Sequence, residues 1–485
     1  MVNALRYSVR ARPILKYFGQ LCIVLALLTL VPLVVSIMFG DYRVTLRYAA
    51  VAAGVFIIGF SLRRLSTPRR IQTNEAMVIT ALIFLFTPVV MTWPIMASGL
   101  SFGDALFETI SGITTTGLSV TASVVDKPAI FLFSRAWMQW VGGLGIVILF
   151  VATMIRPGLE AKRIGDLEDY EDDLIGSTRT HARRVMIVYS IMTGFGIILL
   201  GMLGAGWFNG VVYTLSAVST GGFSPHDASL AGFDSQWLQG LVILLSVAGA
   251  IPLVLYFRSF KEGVRVLIRD RQLQGILIFG LVAAFLMAFF LTQDGFSWIQ
   301  ALRHGVLNAF SAQTTAGFST LDISQLNAGA KLTLIFSMFL GGGIGSTAGG
   351  IKILRLLIVG QLLYIFLQRP GMPSQAVAEA SLGRRRLEAD EIQNALSIVF
   401  VFLGFVGISW LIFLGMGHNP LDSLFEVVSA IGTVGLSSGI SAPDLHPVLK
   451  GVLCADMLLG RLEIIAWLVL FYPRTWVGRK LEEII

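Results

Sequence analysis

Hydrophobic residues fall in ten runs, at 14–40, 45–62, 76–97, 133–155, 185–205, 235–257, 273–292, 331–365, 393–416 and 447–472. A hydrocarbon core of about 30 Å is crossed by about 20 helical residues, so each run predicts one membrane-spanning helix. The first run is too long for the apolar core of a signal peptide, and nothing cleavage-like precedes Gly40-Asp41. It is read as a span. After the third, fifth, seventh and ninth runs the pattern changes, to half-polar stretches too short to cross.

These four stretches are copies of one another. They read SFGDALFETISGITTTGLS (101–119), GWFNGVVYTLSAVSTGGFS (206–224), RHGVLNAFSAQTTAGFS (303–319) and NPLDSLFEVVSAIGTVGLS (419–437). Aligned on Gly117, Gly222, Gly317 and Gly435, each has threonine two residues earlier: Thr115, Thr220, Thr315 and Thr433. Each has serine two residues later (Ser119, Ser224, Ser319, Ser437) and six earlier (Ser111, Ser216, Ser311, Ser429), and Leu or Phe directly follows the glycine. Such agreement in four copies argues against four unrelated tight turns. Three copies also open like helices. Ser101 with Asp104 and Ser297 with Gln300 fit capping boxes, and Asn419 precedes Pro420 and Asp422 as an N-cap. The start at Gly206 is weaker.

Each unit therefore predicts a span, a half-crossing helix of about three turns, a short extended Thr/Gly segment and a second span. Irregular backbone at membrane depth survives only where it is buried in protein or lines a watery path. Four such segments around one axis would present carbonyl oxygens from Thr114, Thr115, Thr116 and Gly117; Ser219, Thr220, Gly221 and Gly222; Thr314, Thr315, Ala316 and Gly317; and Gly432, Thr433, Val434 and Gly435. The short helices would aim their negative C-terminal ends at that axis. Carbonyl rings of this kind replace the hydration shell of a cation such as potassium, and glycine lets successive carbonyls turn inward. The organisation follows: an all-α integral membrane protein with a two-span hairpin at 1–70 and four units at 71–165, 166–270, 271–380 and 381–485.

Composition agrees with the membrane reading. The chain is 55% hydrophobic and 13% charged with mean hydropathy +0.78, against about 25% charged residues in soluble domains. Neither a soluble globular protein nor a disordered chain has this balance. Cys22 and Cys454 lie inside apolar runs, which argues against a disulfide framework or a thiolate metal site. If the spans alternate, 28 of the 36 Lys and Arg lie on one side, which places both termini in the cytoplasm. The net charge of +7 thus reflects topology and not a nucleic-acid partner. The opposite side is acidic, which concentrates cations there.

The eighth run is interrupted by GGGIGSTAGG, with Gly341, Gly342, Gly343, Gly345, Ser346, Thr347, Gly349 and Gly350. A phosphate loop would need a preceding strand, which is absent. Close helix packing through small residues and an unwound gate beneath the carbonyl segments both fit. Arg461 stands inside the tenth run, either paired with Asp456 or Glu463 or facing the pathway as a fixed positive charge. The mixed-charge segment 160–184, with 258–272 and 369–391, could be a solvated face or a docking surface for a soluble regulator, and the GRRR at 383–386 fits ordinary topology. No HExxH or convincing Ser/His arrangement occurs, so an enzyme is not expected.

The fourfold plan, the T-x-G-[LF]-S segments and the broken second span of the third unit resemble the Trk/Ktr/HKT superfamily of potassium transporters. The N-terminal hairpin and the WMQWVGGLGIV stretch (137–147) resemble its bacterial, TrkH-type branch. The resemblance implies potassium uptake through a central pore in the bacterial inner membrane. It also implies a homodimer surrounded by lipid and a cytosolic TrkA-like ring that controls gating. Gly117, Gly222, Gly317 and Gly435 become filter glycines, 341–350 the gate loop and Arg461 the pore arginine. The ion is potassium, no covalent cofactor is expected, and any nucleotide belongs on the partner subunit. The competing reading is a secondary transporter coupling potassium to protons or sodium, for which Glu426 and Glu463 are the available carboxylates.

Overall fold

The computed structural model describes residues 8–66, 71–154, 174–371, 380–382 and 385–477. The mixed-charge stretch 160–173 and two residues of the GRRR run lie outside the described residues. Helices α1 (Ala11–Met38) and α2 (Tyr42–Arg63) form an antiparallel hairpin, with the Asp41 carboxylate accepting from the Val44 N–H to start α2. The hairpin closes tightly because a Cβ on Gly19 would meet Leu62, and one on Gly59 the Gly19 carbonyl. It leans on the following helices, α1 against both α3 (Thr73–Ile95) and α5 (Ala129–Met154).

Between α3 and α5 lies α4 (Phe102–Ile113), and the pattern then recurs. The second unit holds α6 (Leu174–Met202), α7 (Trp207–Val218), α8 (Gln236–Ala250) and α9 (Leu253–Glu262), followed by the short α10 (Arg265–Arg269). The third has α11 (Arg271–Gln293), α12 (Trp298–Gln313), α13 (Ala328–Phe339) and α14 (Ile353–Gln368), then a two-residue antiparallel pair, β1 (Ser381–Leu382) with β2 (Arg385–Arg386). The fourth has α15 (Ala389–Gly415), α16 (Pro420–Ile431), α17 (Pro447–Arg461) and α18 (Ile465–Phe471), and α19 (Pro473–Trp476) ends the described chain. The short helices α4, α7 and α16 have 12 residues each, about 18 Å, too little to cross. Their starts follow the expected chemistry. Ser101 accepts from the Asp104 N–H, Ser297 and Gln300 form a reciprocal box, Asn419 accepts from Leu421 and Asp422, and Gly206 caps nothing with a side chain.

The second spans depart from expectation. Only α5 runs unbroken. The run 235–257 is not one helix but α8 and α9, bent by 86° at Ile251-Pro252, where proline supplies no N–H and the preceding residue is extended. The run 447–472 divides after Arg461, with Glu463 (φ 52°) and Ile464 (φ 65°) in the left-handed region. The expected interruption of 331–365 is present, between α13 and α14. Among the described residues, eight helices are long and apolar enough to cross a bilayer, nine if α8 and α9 count as one. The expected ten is therefore not reproduced by length alone.

Burial sorts the helices. The most apolar stretch of α5 is 72% buried, whereas those of α6 and α15 are 28% buried. Ile278, Leu281 and Phe285 on α11 are exposed, a face suited to lipid and not to water. The backbone N–H of Val9 donates to the Thr475 carbonyl at 2.8 Å, so both ends of the described chain meet at one face.

Candidate ion pathway

The four short helices end in the same way. The threonine N–H bonds the carbonyl three residues back: Thr115 to Gly112, Thr220 to Ala217, Thr315 to Ala312 and Thr433 to Ala430. The next N–H reaches the carbonyl five residues back, from Thr116, Gly221, Ala316 and Val434 to Ser111, Ser216, Ser311 and Ser429. This pair of bonds is the Schellman motif, whose left-handed position is usually glycine. Here it is threonine every time, with φ of 54°, 52°, 55° and 50°. A β-branched residue in that region is an outlier and costs about 1–2 kcal/mol. Four equivalent outliers indicate a conformation imposed by purpose rather than by local propensity.

The following residues form a ring. Gly117, Gly222, Gly317 and Gly435 have φ of 90°, 80°, 68° and 96°. A Cβ on Gly117 would strike the Gly221 carbonyl, one on Gly222 the Ala316 carbonyl, one on Gly317 the Val434 carbonyl, and one on Gly435 the Thr116 carbonyl. Each segment thus abuts the next, and the fourth closes on the first. Leu118, Phe223, Phe318 and Leu436, one residue beyond, are buried and wedge the ring into the protein. In the first and fourth copies the repeated serine holds the glycine directly: Ser111 Oγ accepts from the Gly117 N–H at 3.0 Å and Ser429 Oγ from Gly435 at 3.1 Å.

The glycine-rich segment packs against this ring. The Gly349 N–H donates to Thr315 Oγ1 at 2.7 Å, and Thr347 Oγ1 donates to the carbonyls of Val218 and Gly249, both at 3.0 Å. A Cβ on Gly349 would collide with Thr433 and Gly432. Within the loop, Gly341 N–H meets the Ile351 carbonyl at 2.9 Å in a parallel bridge, and Gly343 N–H meets Ala250 at 2.9 Å. With Thr220 Oγ1 donating to Thr347 Oγ1 at 3.4 Å, the segment touches three of the four T-x-G segments.

Arg461 is pinned beside it. Its Nη1 donates to the Thr347 carbonyl at 2.7 Å and its Nη2 to the Gly142 carbonyl of α5 at 3.0 Å. The alternative of an ion pair with Asp456 or Glu463 does not hold. Asp456 accepts from Ser409 Oγ at 2.8 Å, and Glu463 pairs with Arg355 on α14. Lys352 donates to the Ala348 carbonyl at the loop's exit.

Other contacts were not foreseen. Gln139 on α5 donates to the Gly221 carbonyl and accepts from the Phe223 N–H at 3.1 Å, gripping both sides of a ring glycine. Adjacent units are stapled by Arg303 to Gln239 (2.8 Å), Lys331 to Asp422 (2.7 Å) and Lys450 to Asp104 (2.6 Å). Asp227 caps Ser123 and Val124 across the first and second units, at 2.9 and 2.6 Å. No spacing within one unit could reveal partners supplied by its neighbour.

Comparison with known proteins agrees with this architecture. A solved potassium transporter TrkH from Vibrio parahaemolyticus superposes with a TM-score of 0.87, at 23% identity, over 96% of this chain and all of that one. An uncharacterized cation transporter of Methanocaldococcus jannaschii is 29% identical, with 94% of each chain covered. The Trk system potassium uptake protein TrkH of Halomonas elongata is 28% identical over 96% of this chain and 99% of its own length. The family model TrkH, described as a cation transport protein, matches residues 46–312 and 300–476. An almost wholly helical fold with four strained T-x-G turns closing a ring and a match over nearly the whole chain lead to one conclusion: the protein belongs to the TrkH family of cation transport proteins.

Proposed function

We propose that the chain is a gated, cation-selective path for potassium uptake across the bacterial inner membrane, with both termini cytoplasmic. The observation that carries this is the closed ring. Four segments, each with a left-handed threonine and a close-packed glycine, bring four sets of backbone carbonyls together at one place. The sixteen filter residues are Thr114–Gly117, Ser219–Gly222, Thr314–Gly317 and Gly432–Gly435. Their carbonyls take over potassium's hydration shell. Residues 341–350 are the gate and Arg461 is a fixed charge that both ties the gate down and repels cations. Relatives named as Trk system potassium uptake proteins support the choice of ion. The working unit is a homodimer in lipid, regulated by a TrkA-like cytosolic ring that carries the nucleotide.

Reversal potentials of the purified protein in planar bilayers test the proposal. A passive path follows the potassium gradient and is indifferent to pH. A potential that moves with the proton or sodium gradient at fixed potassium refutes it in favour of coupled transport.

A further inference from the structure

Nine residues before each ring glycine stands a polar side chain: Glu108, Tyr213, Asn308 and Glu426. All four are fully buried. Each reaches past the T-x-G segment to the chain that leaves it. Glu108 Oε1 accepts from the hydroxyl of Ser119 at 2.6 Å, the N–H of Val120 at 2.9 Å and the hydroxyl of Thr121 at 3.0 Å. Glu426 accepts from Ser437 Oγ at 2.9 Å, the N–H and hydroxyl of Ser438 at 3.0 and 3.1 Å, and the Ser441 N–H at 3.1 Å. The Tyr213 hydroxyl meets Ser224 Oγ and His226 Nδ1, both at 2.9 Å, and donates to the Ser229 carbonyl at 2.9 Å. Asn308 accepts from the Thr320 N–H at 3.1 Å and donates to Thr320 Oγ1 at 2.7 Å.

The contacts explain the serine that recurs two residues after the glycine. In three copies its hydroxyl is the partner of the buried side chain, and in the third Thr320 takes over. They also meet a mechanical need. The inner end of each T-x-G segment is fixed by the Schellman bonds of its own helix, whereas the outer end runs on as irregular chain. The side chain nine residues back ties that outer end to the same helix.

We propose that Glu108, Tyr213, Asn308 and Glu426 are positioning residues that fix the outer end of the filter and thereby its ion preference. The inference rests on the filter reading above. Carbonyls held at a set separation favour one ion size, and an outer end left loose lets them close on a smaller ion such as sodium. The four anchors use different chemistry for one task, two carboxylates in the first and fourth units and two neutral groups between them.

The test is the potassium-to-sodium permeability ratio from reversal potentials under bi-ionic conditions, for purified full-length protein in bilayers. Glu426→Gln preserves volume but turns an NH2 group toward donors, and Tyr213→Phe removes one hydroxyl; Gly117→Ser is measured beside them. Glu426→Gln is expected to lower the ratio about tenfold, the equivalent of one charge-assisted hydrogen bond, and Tyr213→Phe about threefold to tenfold, the equivalent of one neutral hydrogen bond. Normal ratios in folded Glu426→Gln and Tyr213→Phe, with a lowered ratio in Gly117→Ser, overturn the anchor role and leave the filter standing. Normal ratios in all three overturn both. Reduced yield or thermal stability with an unchanged ratio marks a purely structural contact and also overturns the proposal. If Glu426→Gln does not fold, Ser437→Ala removes the same bond from its other end and is judged by the same ratio.

Discussion

Arg461→Ala is the sharpest test of the proposed gate. The side chain is 3% exposed, and its guanidinium donates to Thr347 in the loop and to Gly142 in α5. If residues 341–350 are the gate, opening breaks the first bond and leaves the second, because Gly142 lies on α5 and not in the loop. A hydrogen bond from a charged donor contributes about 1.5–3 kcal/mol, so losing it shifts the closed-to-open ratio about tenfold to a hundredfold toward open. If Arg461 also faces the path, as proposed, loss of its charge acts in the same direction. Stability is expected to change modestly. The acceptors left behind are neutral carbonyls, and removal of a buried charge relieves its desolvation. Arg461→Lys keeps the charge but presents one compact head in place of a fork, so it should hold one carbonyl and give intermediate flux. The assay is potassium flux into vesicles per correctly folded molecule. Flux for Arg461→Ala at or below the wild-type level refutes the reasoning. Combining Arg461→Ala with deletion of 343–347 then separates the two contributions, since a latch has no further effect once the loop is gone.

Other outcomes are expected. Deleting 343–347 alone should raise basal cation flux with an unchanged potassium-to-sodium ratio, and wild-type flux from a folded variant would reduce the loop to packing. Gly117→Ser should reduce discrimination more than Leu118→Val, because its Cβ collides with the Gly221 carbonyl and must adopt φ near 90°; equal ratios would remove Gly117 from the filter. Arg135→Met should destabilise by about 3–5 kcal/mol, measured by thermal unfolding in detergent, because it strands Glu108, its buried partner at 3.0 Å. His226, in the loop after the second ring segment, is pushed below its ordinary 6.5 by burial, with Asp227 opposing. An opened loop therefore binds more protons than the closed one, so loop stability rises with pH and is lost as pH falls below about 6.5. Lower protection factors across 224–232 under acid, with exchange normalised to the intrinsic rate, and loss of that pH dependence in His226→Gln, check the sign.

The parts of the fold that depend on local chemistry were legible in the sequence. The capping residues Ser101, Ser297 and Asn419 satisfy N–H groups of their own helices, and the T-x-G columns follow from the Schellman turn. The breaks at Ile251-Pro252 and at Glu463-Ile464 were not. Proline does not announce a break in this chain, since Pro32 lies inside α1 and Pro88 and Pro94 inside α3 without interrupting them. Ile464 is an improbable residue for positive φ; the turn is closed by local bonds from the Glu463 N–H to Gly460 and the Ile464 N–H to Leu459, with the Arg355–Glu463 pair added across to α14. For Arg461 the sequence offers a carboxylate partner, Asp456 or Glu463, or a charge facing the path; neither option reveals that its acceptors are carbonyls from two other units. The buried residue nine positions before the glycine is not legible in the sequence for a similar reason. Glu, Tyr, Asn and Glu share a function as hydrogen-bonding groups, not an identity that alignment can match.

The ring is built from one polypeptide, and its four quarters read TTTG, STGG, TTAG and GTVG. In an assembly of four identical subunits every substitution would arrive four times, and a change tolerable once could be lethal in quadruplicate. Here a substitution touches a single quarter. Each quarter can drift separately while the others keep the shared geometry, which gives selection a fine adjustment of the path that a symmetric assembly lacks. The asymmetric anchors, one a carboxylate beside Arg135 and another a tyrosine beside a histidine, are the kind of divergence this freedom permits.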